Sequence, residues 1–187
     1  IRLMEKLHNH SGRPSVMVLR PADAEETTAA WKMAMENIYT PTALILSRQD
    51  VASVPNTSAE GVKKGAYIVS KDENPQVVMI ASGSEVSTLM AGAELLRAEG
   101  VRLQIVSVPS EAIFRQQSKE YQAEVLPQGV ARFGLTAGLP CNLEGLVGEH
   151  GTVWGLNSFG FSAPYKVLDE KLGFTAENVY KQVKALL

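Results

Sequence analysis

The sequence has a single cysteine, Cys141, so no disulfide can form within the chain. That composition suits a cytoplasmic setting. It has no apolar run of the length that spans a bilayer, so no membrane partner is expected. It also has no excess of one charge. Eighteen Lys and Arg stand against twenty Asp and Glu, a net charge of -2. A polyanion-binding face driven by bulk charge is thereby excluded, and no nucleic-acid partner is expected. The familiar chemical motifs are missing too. There is no G-x-x-x-x-G-K phosphate loop, no G-x-G-x-x-G after a strand, no G-x-S-x-G elbow, and no H-E-x-x-H or paired-cysteine metal pattern. No residue of this chain is assigned a catalytic, cofactor-binding or metal-binding role on sequence grounds.

What the sequence does contain is a regular alternation of apolar runs and helical periodicity. Ile1, Met4 and Leu7 share one helical face, with no capping residue ahead of them, and the run reads as the continuation of a longer segment. His8-Asn9-His10-Ser11-Gly12 forms a turn, and its two histidines read as solvated turn residues rather than a metal pair. Val16–Leu19 is a continuous apolar run suited to a buried parallel strand. Asp23 opens a helix, with Glu26 three residues on as in a capping box. Trp31, Met35 and Ile38 give that helix one apolar stripe, which is expected to face the core. Thr42–Leu46 is a second apolar strand, so the spacing predicts a right-handed βαβ unit. One helix covers only one face of two parallel strands. Residues 1–49 therefore read as an incomplete piece of a doubly wound domain.

From 50 to 64 the composition shifts to small and polar residues, read as a linker running over a surface. After it the alternation resumes. Strands are expected at 66–69, 77–81, 103–108, 130–135 and 152–156. Ser84, Ser110 and Thr175 are expected to cap helices, Gly100 to end one in the left-handed conformation, and 118–126 to hold another helix. The fold class is α/β. Residues 65–187 make a three-layer domain with a mixed, mainly parallel sheet of about five strands.

Four places are candidates for chemistry. Ser82-Gly83-Ser84-Glu85 joins a strand to a helix N-terminus and could hold an anion, although a capping serine followed by glutamate explains it as well. Cys141 has no basic neighbour in sequence and reads as a small apolar residue, and Glu149-His150-Gly151 reads as a polar turn. Arg48 stands just past the carboxyl end of a parallel strand, where open α/β sheets bind ligands. Its planar fork suits phosphate or carboxylate, and by position alone it serves either a ligand or a salt bridge.

The segments Leu19-Arg20-Pro21-Ala22-Asp23-Ala24 with Glu26-Thr27, and Pro41-Thr42-Ala43-Leu44-Ile45-Leu46-Ser47-Arg48-Gln49, resemble the transketolase family. So do Ala81-Ser82-Gly83-Ser84-Glu85-Val86, Phe159-Gly160-Phe161-Ser162-Ala163-Pro164 and Leu172-Gly173-Phe174-Thr175-Ala176-Glu177-Asn178-Val179, in collinear order across the chain. The resemblance implies the end of a thiamine-diphosphate pyrimidine-binding domain at 1–49, a linker at 50–64 and a transketolase C-terminal domain at 65–187. It implies transfer of a two-carbon ketol unit between sugar phosphates, a ketose donor and an aldose acceptor, in the pentose phosphate pathway. Thiamine diphosphate and a divalent metal, magnesium or calcium, would be the cofactors, with a homodimer as the active unit. The family's diphosphate and metal motif, its activating glutamate and its substrate histidines have no counterpart in these residues, so this portion alone is expected to be inactive. By the same resemblance Arg48 binds the substrate phosphate. The chain departs from the family at Thr136, within Pro140–Leu146 and at Phe161. Two alternatives stand beside this reading. One is a fragment of another thiamine-diphosphate enzyme, such as deoxyxylulose-phosphate synthase or a 2-oxoacid dehydrogenase β subunit. The other is a stand-alone regulatory or interaction module that binds an anion at Ser82–Glu85.

Overall fold

The computed structural model describes residues 1–187. A short 3-10 helix at Arg2–Lys6 is followed by β1 (Met17–Leu19), α1 (Ala24–Glu36) and β2 (Thr42–Leu44). Then come α2 (Ala59–Lys63), β3 (Tyr67–Lys71), β4 (Val77–Ala81), α3 (Glu85–Ala98), β5 (Leu103–Ser107), α4 (Glu111–Arg115) and α5 (Lys119–Val125). The chain closes with β6 (Ala131–Leu135), α6 (Cys141–Val147), β7 (Thr152–Trp154), α7 (Tyr165–Leu172) and α8 (Ala176–Leu186). No helix is long and apolar enough to cross a membrane.

β1 and β2 pair in parallel as a two-stranded sheet. The second sheet has five strands in the order β3-β5-β4-β6-β7. Only β3 runs antiparallel, against β5, so the sheet is mixed and mainly parallel, as the alternation of runs indicates. β4 is buried along its whole length because helices cover both faces. Val77, Met79 and Ala81 point into one apolar cluster with Leu89, Ala93 and Leu96 of α3 and Val179 and Val183 of α8. Val78 and Ile80 point into the other, with Phe114, Val125, Leu143 and Leu146. Alternate side chains of one strand thus feed the two outer layers.

Leu19, Ala22, Ala29 and Ala30 belong to the first of these clusters, so the N-terminal βαβ piece shares the core of the larger sheet. A buried polar network reinforces the join. Asp23 caps α1, accepting from the Glu26 amide at 3.0 Å, and its other carboxylate oxygen accepts from the Val54 amide at 2.9 Å and the Thr57 hydroxyl at 2.8 Å. Glu26 accepts from the Ala22 amide at 2.7 Å, the Tyr67 hydroxyl at 2.7 Å and the Ser107 hydroxyl at 2.6 Å. Only the Asp23 half of the expected capping box forms, since Glu26 accepts from the Ala22 amide rather than that of Asp23, and the two acids reach into 50–64, β3 and β5.

Several local expectations are corrected. Trp31, Met35 and Ile38 do share a stripe on α1, but it faces outward, with exposures of 52%, 80% and 79%. The inward face is Glu26, Ala29 and Ala30, whose small side chains allow close approach. Residues 50–64 do not simply cross a surface. Asp23 draws Val54 inward, and α2 buries Val62 completely. Ile1, Met4 and Leu7 are exposed. At three residues per turn the opposite face is Arg2 and Glu5, and that face docks because Arg2 donates to the Val108 carbonyl at 2.8 Å.

Ser84 is in helical conformation and makes no cap. The turn before it is made by Gly83, whose φ of +67 favours glycine, and the Val86 amide returns to the Gly83 carbonyl. Ser110 has the extended backbone of a cap, but its hydroxyl donates to Glu5 at 3.4 Å instead. Thr175 caps α8 as expected, and Gly100 ends the α3 turn with φ +79. α6 and α7 have no counterpart in the sequence reading. The first is opened by proline and interrupted by Gly145, and the second buries no residue.

Two outcomes follow. Asp23→Ala removes a helix cap and leaves the Val54 amide without its buried acceptor. Its cost in urea unfolding will exceed the roughly 1 kcal/mol of an ordinary cap. The second concerns pH. Burial pushes the carboxyls of Glu26 and Glu5 above their ordinary range, only partly offset by the donors around Glu26 and by Arg2 beside Glu5. The folded state then holds protons that the unfolded chain has released. The unfolding free energy falls as pH rises from the ordinary glutamate value, about 4.3, through the raised values. Asp72 acts in a lower window. Burial pushes it up, but hydrogen bonds from Arg97 and the Leu103 amide outweigh this and hold it below its ordinary value. Urea midpoints measured upward from about pH 4.5 will therefore decline, and Glu26→Gln will flatten the decline. A midpoint that rises over that window contradicts the account.

Candidate functional site

β1 and β2 run in parallel and end side by side, so the residues that follow them, Arg20 and Ile45–Arg48, come out at one rim. This rim faces the first turn of α3 and α7 across a cleft of about 520 Å³. Both arginines line it, but they differ in state. Arg20 is three-quarters or more buried, and its Nη1 donates to the Ser82 carbonyl, the Ser82 hydroxyl at 3.3 Å and the Glu85 carboxylate. Its guanidinium lies against Gly83, where an added Cβ would come within 2.6 Å of Cζ. Arg48 is exposed and makes no hydrogen bond or ion pair with any residue of the chain. The salt-bridge alternative for Arg48 is therefore not realised in this structure.

Charges around the cleft sharpen this contrast. Glu85 is buried and neutralised by Arg20. Burial raises the Asp169 carboxyl, with the Glu85 charge adding to it, so Asp169 holds its proton more readily than an exposed aspartate. Asp50 lines the cleft as well, and none of these three acids forms an ion pair with Arg48. What remains is a free guanidinium at the open end of a parallel strand pair, in a cleft able to admit a small ligand. Such a fork can bind phosphate or carboxylate in two-point fashion.

The other sequence candidates are placed less suggestively. At the Ser82–Glu85 corner Arg20 packs on Gly83 and pairs with the Glu85 carboxylate, so the first turn of α3 already has an acid of the chain beside it. His8 sits in a β-bridge to Pro14, and the turn is held by the Asn9 side chain, which accepts from the Ser11 and Arg13 amides. Glu149 and His150 are an exposed turn. Cys141 is half-buried at the start of α6. No group of three His, Cys, Asp or Glu side chains could hold a metal ion. Sequence reasoning missed Arg20, although the rule that singled out Arg48 applies equally at the end of β1. It also missed Asp169, which lies on a helix that was not anticipated.

The family described as the transketolase-like TK C-terminal domain matches residues 65–175. A transketolase of Geobacillus stearothermophilus is 42% identical over 190 residues, covering 98% of this chain and 28% of that protein. Among solved structures, a transketolase from Leishmania mexicana superposes with a TM-score of 0.87 at 39% identity, covering 92% of this chain and 25% of that one. A transketolase from Pichia stipitis, solved in complex with sedoheptulose 7-phosphate, gives a TM-score of 0.87 at 32% identity over 94% of this chain and 26% of that one. The chain thus spans little more than a quarter of the length of the relatives it matches. With the strand order, the two-stranded βαβ piece and the family match in agreement, the chain belongs to the transketolase family and corresponds to its C-terminal portion.

Proposed function

We infer that the chain is the C-terminal portion of an enzyme that transfers a two-carbon ketol unit from a ketose phosphate to an aldose phosphate, and that Arg48 anchors the substrate phosphate. The observation that carries this reading is the free guanidinium of Arg48 in an open cleft at the carboxyl end of β2. The sugar-phosphate complex of a relative supports the ligand class. A phosphate held in two-point contact fixes the far end of the sugar. Binding energy from that remote group can orient the carbon that reacts. Arg48 is a binding residue in this scheme and moves no proton.

The cofactors that the family implies are thiamine diphosphate and a divalent metal, magnesium or calcium, and the residues present do not fit them. No three potential metal ligands cluster, and the buried acids Asp23 and Glu26 are saturated by donors of the chain itself. We place the cofactor site outside these residues. The same reading has the pentose phosphate pathway as its setting, the cytoplasm as its location and a pair of identical subunits as its assembly. The apolar outer face of α1, with Trp31, Met35 and Ile38 exposed, supports an assembly contact there.

Two experiments test this. In the enzyme carrying the remaining transketolase sequence, Arg48→Ala will lower kcat/KM for phosphorylated substrates roughly 10- to 100-fold, mainly through KM, as expected for losing hydrogen bonds to a charged group. Unphosphorylated substrates will change little. An equal loss on both makes Arg48 structural. For the 187 residues alone, calorimetric titration with thiamine diphosphate and magnesium will give no saturable heat, and coupled assays will show no ketol transfer. Stoichiometric cofactor binding would sink that part of the reading.

A further inference from the structure

The larger sheet has a switch in strand order. From β4 the chain crosses to β5 on one side, and from β5 it crosses back to β6 on the other side of β4. The switch therefore lies between β4 and β6. Open α/β sheets bind ligands just outside the carboxyl ends of such a strand pair. Ser82 follows β4 and Thr136 follows β6, and a cavity of about 310 Å³ opens between them, lined also by Gly138, Asn142, Arg2 and Arg20.

The lining holds two guanidiniums and no carboxylate. Its donors are also unspent. Arg20 commits only Nη1 to acceptors of the chain, leaving Nε and Nη2 without partners. The Asn142 side-chain amide makes no hydrogen bond, and its Nδ2 lies close to Gly138, where an added Cβ would come within 2.5 Å. The Thr136 hydroxyl accepts from the Gly138 amide at 3.1 Å, and the Ser82 hydroxyl accepts from Arg20 at 3.3 Å, so the proton of each is uncommitted. Both hydroxyl residues are buried, at 7% and 5% exposure. Arg2 stands behind them as a fixed charge, held by the carbonyls of Val108 at 2.8 Å and Pro109 at 3.3 Å. Glu85 is outside the lining and is paired with Arg20 through Nη1 alone.

Each of the two cations has an acid of the chain on its far side, Glu5 at 3.9 Å from Arg2 and Glu85 on Arg20, but the uncommitted donors that line one cavity call for an acceptor with several oxygens. We propose that this crevice binds a phosphate group, at a site distinct from the Arg48 cleft and meeting it at Arg20. Phosphate fits better than carboxylate because donors approach from both rims, Asn142 and Thr136 on one and Arg20 and Ser82 on the other. The tetrahedral oxygens of a phosphate can face both rims at once, whereas the two oxygens of a carboxylate lie on one side of its carbon. The volume admits either the free ion or a small phosphomonoester.

The test is a titration of the 187-residue chain with inorganic phosphate, and separately with glycerol phosphate, at ionic strength held constant with sodium chloride, read by amide NMR. Saturable shifts at Ser82, Thr136, Gly138 and both amides of Asn142 are expected. Tighter binding of glycerol phosphate identifies a phosphomonoester as the ligand, and tighter binding of the free ion identifies inorganic phosphate. Asn142→Ala removes a side chain with no partner in the chain, so it should fold, and it will weaken binding about tenfold. Thr136→Val is the second variant and acts in the same direction. Arg48→Ala will leave the crevice affinity within about twofold, since the two sites do not share that residue. Shifts that fail to saturate, that are confined to residues 47–50, or that are unchanged in both crevice variants overturn the proposal.

Discussion

The structure depends on two buried acids at the start of one helix. Asp23 accepts from the Glu26 amide and Glu26 reaches back to the Ala22 amide, but most of their acceptor capacity goes elsewhere. The pair collects the Val54 amide, the Thr57 hydroxyl, the Tyr67 hydroxyl and the Ser107 hydroxyl. Burying carboxyls is costly unless they are well supplied with donors, and here the donors come from three separate stretches of chain. The cost of burial is therefore converted into a constraint on geometry. The βαβ piece sits against the larger sheet in one orientation because only that orientation satisfies both acids. Tyr67 shares the constraint. Burial and then the Glu26 charge push its hydroxyl far above the ordinary tyrosine value, so it remains a donor at any accessible pH. A two-stranded parallel sheet with one covering helix would be marginal in isolation, and this network gives it a fixed support.

Orientation of the βαβ piece is what brings the carboxyl ends of two sheets together. β1 and β2 end beside the ends of β4 and β6, so the functional rim is composite. Arg20 leaves β1 and closes the corner after β4, while Arg48 leaves β2 and stays free. The difference between these two arginines is not chemical. One meets Ser82 and Glu85 within reach, and the other meets a cleft.

Features that depend on neighbours in sequence were legible. Asp23 and Thr175 cap because their own helix amides are the nearest donors. β4 reads as a buried strand because five consecutive apolar residues fit little else. The mixed five-stranded sheet follows from the alternation of runs, and the place of Arg48 just past the end of β2 from its distance to that run. Features set by distant partners were not legible. Ser110 turns to Glu5, more than a hundred residues away, and Ser84 loses its cap to a glycine-made turn. The stripe on α1 has the right periodicity, but periodicity does not say which side is covered. The alanines took the inward side because the helix packs closely there. The polar lining of the β4–β6 crevice is drawn from four stretches of chain, and no local pattern announces it.

Arg20 belongs to both cavities, with part of its guanidinium spent on the corner and the rest facing outward. Anions at the two places would draw on one cation and repel each other across it. The two binding equilibria are then linked, and linkage is reciprocal: occupancy of either place shifts the affinity of the other by the same factor. One buried arginine, fixed by a serine and a glutamate, would thereby couple the two proposed sites.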